Sequence, residues 1–221
     1  MKKHKILCIS DTHTKHNRIL NNFPDYFKKE NNIDTIIHAG DISNVGYLHE
    51  VENFLRWFSS LNMFKNKIFI AGNHDFLFQN NRVLSKDILK EYPNINYLED
   101  SGIEIDGIKF WGSPQTPAFN NWAFNRERGN DIKRFWDEIP MDTDILITHG
   151  PAKGIGDYIR NKHLGCEELL LAIQKINPLA HIYGHIHNGY GKHKIFDTIS
   201  VNASLLNESY HLVNKPLLIE V

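Results

Sequence analysis

Five short apolar runs in this 221-residue chain end in the same few polar residues, and that recurrence limits the possible folds more than any other feature. Ile6-Leu7-Cys8-Ile9-Ser10 leads into Asp11-Thr12-His13, and Thr35-Ile36-Ile37-His38-Ala39 leads into Gly40-Asp41. The run at 67–71 ends in Gly72-Asn73-His74-Asp75, that at 144–148 in His149-Gly150-Pro151, and that at 181–183 in Gly184-His185-Ile186-His187. Apolar runs this short, bounded by turn residues, read as buried strands. Helical stretches separate the first three. One covers 17–31, with Ile19, Leu20, Phe23, Tyr26 and Phe27 apolar; the other covers 48–61, where Val51, Phe54, Leu55 and Phe58 recur at three- and four-residue spacing. This β-α-β-α-β order predicts a largely parallel sheet.

Beyond a helix expected at 84–91 the pattern changes. Runs at 95–98, 103–105 and 108–111 read as short strands of a second, mixed or antiparallel sheet, with Asp106-Gly107 as a hairpin turn. The stretch 113–140 is aromatic and turn-rich, with a helix expected over 130–138. A further helix is expected at 166–176, and the tail is strand-rich at 194–196, 199–202 and 217–221. No repeat, low-complexity tract or linker interrupts the chain, so one domain over 1–221 is expected.

Apolar residues at 41% and charged residues at 23% are those of a globular protein. The 25 Lys and Arg nearly cancel the 26 Asp and Glu, which leaves no broad basic track for nucleic acid or a membrane surface. No run approaches the roughly 20 apolar residues of a membrane helix. The basic start, Met-Lys-Lys-His-Lys, precedes an apolar run too short for a signal-peptide core. Cys8 and Cys166 make no disulfide framework, so a cytoplasmic location is expected.

Parallel strands bring their carboxyl ends to one edge of a sheet, where α/β proteins keep their ligand sites. Asp11 and His13, two apart on extended chain, point to the same side. Two carboxylates, an amide and several imidazoles suit borderline ions such as Mn, Fe or Zn better than Ca or Mg, which prefer oxygen shells. Thirteen histidines also exceed ordinary usage.

Taken in order, Asp-x-His, Gly-Asp, Gly-Asn-His-Asp, Thr-His-Gly-Pro and Gly-His-Ile-His resemble the motifs of the calcineurin-like metallophosphoesterases. Thr148-His149-Gly150-Pro151, His163-x-Gly165-Cys166 and the run from Gly184 to Gly191 resemble the small MPPED-type branch, as do Gly112-Ser113-Pro114 and Asn121-Trp122-Ala123-Phe124-Asn125. The resemblance implies an α/β fold, a four-layer α/β/β/α sandwich with two mixed sheets, and two divalent transition-metal ions (Mn, Fe or Zn) at the sheet edge. It places Asp11, His13 and His187 on one ion and Asn73, His149 and His185 on the other, with Asp41 bridging. It sets His74 against a small phosphoester substrate, and Asp75 is the candidate to orient it. The implied activity is phosphodiester hydrolysis, with a cyclic nucleotide as first candidate. A phosphomonoesterase, a nuclease and a weakly catalytic nucleotide- or partner-binding module are the alternatives. The chemistry agrees with hydrolysis, because two divalent ions carry more positive charge than Asp11 and Asp41 cancel. The surplus would attract a phosphate oxygen and acidify a bridging water whose hydroxide attacks phosphorus, with His74 assisting the leaving group.

The 113–128 stretch has no regular period and holds Phe119, Trp122, Phe124, Arg126 and Arg128. Its aromatics and arginines either grip a base and a phosphate, which makes Phe119, Trp122 and Arg126 candidate substrate-binding residues, or pack the loop down. Cys166 either packs or, at a helix start, carries a lowered pKa. Asp157 and His163 either line the site or scaffold a loop. Of the remaining histidines, His4, His16, His49, His193 and His211 are expected in solvent, and His38 and His181 in the core.

Overall fold

The computed structural model describes residues 3–221. Strands β1 (Lys5–Ile9), β2 (Thr35–Ala39) and β3 (Asn66–Ile70) lie parallel and are buried almost throughout. Each is apolar on both faces because each face is covered, as in parallel sheets generally. Leu7, Ile9, Ile36 and Phe69 face the helices, while Ile6, Cys8, Ile37 and Ile68 face a second sheet. β4 (Asn96–Tyr97) extends this first sheet parallel to β3. The second sheet starts with the hairpin of β5 (Ser101–Ile105) and β6 (Ile108–Ser113). Its turn is Asp106-Gly107, with φ of 53° and 81°, as a two-residue hairpin loop requires.

β9 (Ile145–Thr148), β12 (Ala180–Tyr183) and β14 (Thr198–Asn202) continue the second sheet parallel to β6, and β13 (Gly191–Ile195) closes its edge antiparallel to β14. The last strand, β15 (Leu217–Glu220), returns to the first sheet antiparallel to β1. Two ribbons stand outside the sheets. β7 (Thr116–Pro117) pairs with β8 (Asn125–Arg126), and β10 (Tyr158–Ile159) with β11 (Lys162–His163).

The helices α1 (Ile19–Asn22), α2 (Leu48–Ser59), α3 (Phe76–Asn80) and α4 (Arg82–Lys90) cover the outer face of the first sheet through Ile19, Phe54, Phe58, Phe78 and Ile88. On the second sheet, α5 (Asn130–Asp137) and α6 (Glu167–Ile176) pack Ile132, Trp136, Leu169 and Ile173 against Leu146. The result is the expected four-layer α/β/β/α sandwich with two mixed sheets. No helix among the described residues is long and apolar enough to cross a membrane.

Three local expectations fail for identifiable reasons. The helix expected at 17–31 breaks into α1 and three 3-10 turns. Pro24 cannot donate a backbone N–H and pushes Phe23 to φ −134°, ψ 50°, outside helical space. The 95–98 run joins the first sheet, not the second, because Leu98 N–H donates to the Phe69 carbonyl (3.0 Å). The chain leaves that sheet only at Asp100, whose φ is 46°. His4 and His16 are buried, not solvated: His4 Nε2 lies 2.8 Å from Thr35 Oγ1, and His16 Nε2 2.7 Å from Asn53 Oδ1 between Phe54 and Trp57.

Leu146 sits in mid-strand beneath α5 and α6 with no exposed surface. Leu146→Ala should therefore cost about 2–5 kcal/mol of stability, whereas Met141→Ala, at a side chain 54% exposed, should stay within about 0.5 kcal/mol. Urea midpoints at unchanged m-value are the measurement, and equal shifts in both variants would remove Leu146 from the core.

Candidate metal centre

The parallel strands of both sheets end at one edge, and the loops that leave them interlock. Ser10 and Ser204, beyond β1 and β14, form a bridge between the sheets. Asp11 N–H donates to the Gly40 carbonyl (3.0 Å), and His13 N–H to that of Asp41 (3.1 Å). Asp11, His13, Asp41 and His185 all hold left-handed backbone, with φ of 52°, 39°, 56° and 68°. Residues other than glycine seldom adopt it and are strained there by about 1–3 kcal/mol each, so the surrounding packing must impose it. Glycine is needed where carboxylates press on backbone. A Cβ on Gly184 would lie 2.0 Å from Asp11 Oδ2, and one on Gly72 2.3 Å from Asp41 Oδ1.

Four of the cluster's imidazoles follow one rule. Nδ1 of His13, His74, His149 and His187 faces the carbonyls of Ser43 (3.2 Å), Asn44 (2.6 Å), Ala39 (2.9 Å) and Asn207 (2.9 Å). A carbonyl only accepts, so each Nδ1 carries its hydrogen and each Nε2 turns toward the carboxylates. His149 Nε2 is 3.2 Å from Asp41 Oδ2 and 3.0 Å from Asn73 Oδ1. His13 and His74 lie 3.7 and 4.0 Å from Asp41 Oδ2, and His187 is 3.6 Å from Asp11 Oδ1.

His13 Nε2 is buried and has no hydrogen-bond partner among the described residues, an arrangement that a cation would complete. Three overlapping sets have their ligand atoms within 4.8 Å of one another: Asp11, His13 and His187; His13, Asp41 and His74; and Asp41, His149 and His185. Imidazole nitrogens held in one tautomer by backbone acceptors, around buried carboxylates, fit divalent transition metals.

The family model for calcineurin-like phosphoesterases matches residues 4–189. The chain belongs to the calcineurin-like phosphoesterases. This phosphoesterase is 35% identical over 242 residues to metallophosphoesterase domain-containing protein 1 of Homo sapiens, an alignment covering 98% of this chain and 71% of that protein. It is 31% identical over 226 residues to a UPF0046 protein of Caenorhabditis elegans, covering 96% and 73%. In fold it is similar to a Thermus thermophilus protein (TM-score 0.65, 14% identity, 91% and 89% covered). It is similar also to a protein described as a novel archaeal phosphodiesterase (TM-score 0.51, 20% identity, 98% and 99% covered). The family acts on phosphoesters with divalent metal ions, and the clusters above are where this phosphoesterase could hold them.

Burial opposes ionisation of Asp11 and Asp41, yet both carboxyls stay well below the usual carboxylate range. For Asp11 the opposing cause is the hydrogen-bonding and charge of His187, and for Asp41 the charge of His149. The partners respond in kind. Burial works against charge on His149 and His187, but Asp41 and Asp11 outweigh it and push both up to about 9. Burial prevails at His13 and His185, which fall to about 4.

The phosphoesterase opens a cavity of about 650 Å³ over this cluster, lined by Asp41, Asn73, His74, His185 and His187 and walled by Phe119 and Trp122. Phe119 is 60% exposed, whereas the Trp122 ring stacks on His74. Arg126 points elsewhere: its guanidinium lies 4.7 Å over the Phe135 ring. Arg128 ties down a neighbouring loop through the carbonyls of Gly165 and Leu164.

Asp75 does not orient the His74 ring. It is fully buried, and its carboxylate accepts from Gly72 N (2.7 Å), Ser43 N (3.0 Å) and Ser43 Oγ (2.6 Å). Adjacent side chains on a turn diverge, and Asn44 takes the part expected of Asp75. Burial, then the charge of Asp41, raises the Asp75 carboxyl to about 6.

Cys166 is a packing residue whose thiol burial pushes up to about 11. Asp157 scaffolds its loop, accepting from Gly154 N, Gly165 N and His163 Nδ1. His38 and His181 are core groups: their Nε2 atoms lie 2.9 and 2.8 Å from Thr12 and Thr148, each beside a residue of the cluster.

Sequence reasoning missed Tyr158, Arg160, Glu208 and Tyr210 on the cavity wall. Tyr158 sits in the two-residue strand β10 and the others in loops, none with an apolar period, and Asn188, also on the wall, was legible only within the run from Gly184 to Gly191.

Metal ligation requires neutral imidazole, and His149 and His187 keep their protons up to about pH 9 in the metal-free protein. Loading Mn or Zn at pH 7 should therefore release protons, and affinity should rise from pH 6 to 9 as those protons leave. Calorimetric titrations in buffers of differing ionisation enthalpy measure this. Heats at pH 7 that do not depend on the buffer would contradict it.

Proposed function

We propose that this chain is a phosphodiesterase that uses two divalent transition-metal ions, Mn, Fe or Zn, and prefers nucleotide diesters, cyclic ones included. Asp11, His13 and His187 would hold one ion and Asn73, His149 and His185 the other, with Asp41 between them. The observation that carries this is the set of Nδ1–carbonyl hydrogen bonds that turns the Nε2 atoms of His13, His74, His149 and His187 onto Asp11 and Asp41. When bound, the ions supply positive charge for phosphate oxygens and acidify water.

The protein's own groups supply the rest. His74 N–H donates to Asp41 Oδ1 at 2.9 Å, which ties its backbone to the cluster. With Nδ1 committed to Asn44, Nε2 is the nitrogen that exchanges a proton with substrate. As the phosphorus–oxygen bond to the departing group breaks and a water oxygen joins phosphorus, His74 Nε2 gives its proton to the leaving oxygen. A linear diester gives a monoester and an alcohol, and a cyclic one a single monoester that carries the freed hydroxyl, while the proton the attacking water loses passes to solvent. The cavity extends past the cluster to Phe119, an exposed aromatic surface on which a base can stack.

Asp41→Ala should lower occupancy of both ions by elemental analysis. His74→Ala should retain them while losing on the order of 10²-fold in turnover. Because His74 shares a ligand set with His13 and Asp41, metal loss in His74→Ala would make it a ligand and sink the proton-donor role.

Phe119→Ala should weaken kcat/KM for a nucleotide diester by roughly 5- to 150-fold, the size of one base-stacking contact. It should leave a small non-nucleotide diester nearly unchanged. An equal loss on both substrates would exclude base recognition at this ring.

A further inference from the structure

Trp122 stands in an irregular loop, half-buried on the cavity wall, yet its ring packs against other rings. The stack on His74 has a centroid separation of 4.1 Å and an interplanar angle of 28°. Behind it, Phe76 lies 6.0 Å away. The next residue, Ala123, is buried and donates its N–H to the carbonyl of Asn73 (3.0 Å), the residue just before His74. Phe124 is fully buried in the helix-side core, with its N–H on Gln79 Oε1 (2.6 Å). The loop bearing Trp122 is thus fastened to the loop bearing His74.

We infer that Trp122 is the positioning residue for His74: it holds the imidazole plane so that Nε2 stays aimed at the reacting phosphate. This deepens the function proposed above and rests on His74 as the proton donor.

The geometric need is specific. The Nδ1–Asn44 hydrogen bond fixes one atom of the imidazole, but the ring can still swing about that bond and carry Nε2 off line. Contacts on the ring face stop the swing. Trp122 supplies the face, and His13 meets the ring edge-to-face at 4.7 Å and 84°. A stack this close leaves no space for a base between Trp122 and His74. Base recognition falls outside this gap, as proposed above for Phe119, and Trp122 acts on the chemistry through His74. Misplacing a catalytic group by about 1 Å can cost 10²-fold in rate.

Two measurements test this. The first compares diesters with a poor alkoxide leaving group and with p-nitrophenolate, which departs without a proton. Trp122→Ala should lower kcat for the alkyl ester about 10-fold or more, with KM little changed, and barely affect the nitrophenyl ester. His74→Ala should show the same discrimination more strongly, on the order of 10²-fold. The double variant should be no worse than His74→Ala, since the two act as a unit. Trp122→Phe should recover most of the loss, and Trp122→Leu, which fills space without a ring, should not; Trp122→Leu decides the matter if Trp122→Ala fails to fold.

The second measurement is on metal-free protein by NMR. The His74 Nδ1–H should exchange slowly with water in the wild type and in Trp122→Phe, and faster in Trp122→Leu. If His74→Ala shows no dependence on the leaving group, the proton-donor role itself fails. If His74→Ala shows it and the Trp122 variants do not, or if they lose activity on nucleotide esters alone through KM, the positioning role is overturned.

Discussion

Asp11 and Asp41 carry two carboxylates to positions only 0% and 2% exposed, close enough that the charge of Asp41 works against ionisation of Asp11. Buried charges of like sign are costly unless donors meet them. Here the donors come from loops far apart in the chain. Asp11 accepts from His185 N and from Ser204 Oγ (2.7 Å), and faces His187. Asp41 accepts from His74 N and faces His149 and His13. The strained backbone at Asp11, His13, Asp41 and His185 follows from this gathering. The 11–13 segment is not the extended chain its spacing suggested: Asp11 and His13 stand on left-handed turns beyond β1, and those turns bring their side chains to the cluster.

The cluster exists only where the two sheets meet. His149 leaves the second sheet yet donates through Nδ1 to the carbonyl of Ala39 at the end of β2 in the first. Asn202 Nδ2 donates to the Ile186 carbonyl, and Asn202 Oδ1 accepts from Ser204 N, so the end of β14 steadies the His185–His187 loop and the hydroxyl on Asp11. His38 and His181 extend this support into the sheets. Each is held neutral by burial, with its pKa lowered to about 3, and each pairs with the threonine next to a cluster residue. The sandwich core is therefore part of the site, since it sets the distance between the two halves of the ligand set.

Around the cluster, the loops divide the work. The Trp122 loop is bonded to the Asn73–His74 loop and confronts the ring that would give up a proton. The β10–β11 ribbon turns at Arg160 and Asn161, with φ of 46° and 63°, and brings Tyr158 and Arg160 to the opposite wall. Tyr210 packs edge-on against His13 at 4.7 Å, and its carbonyl accepts from Lys15 Nζ. The cluster at the strand ends is where this phosphoesterase could hold metal ions, and the walls around it are set by these loops.

The sequence by itself determined the strands, the alternation that builds the first sheet, and the identity of the polar residues gathered at the edge. Period and turn chemistry are local properties, and parallel strands have only one edge to which they can deliver their carboxyl ends. Local signals also misled. At 17–31 the apolar spacing was broken by Pro24, itself a local signal, whereas at His16 a tertiary contact with Asn53 beside Trp57 overrode the expectation of solvent. Only the tertiary structure decided which nitrogen of each imidazole faces the cluster, because the backbone carbonyls that choose it come from other loops. It alone turned Asp75 into a loop anchor, sent Arg126 onto Phe135, and set Trp122 on His74 and not on solvent. These outcomes depend on the direction of side chains between segments distant in the chain, and direction across such distances is fixed by packing, not by the order of residues.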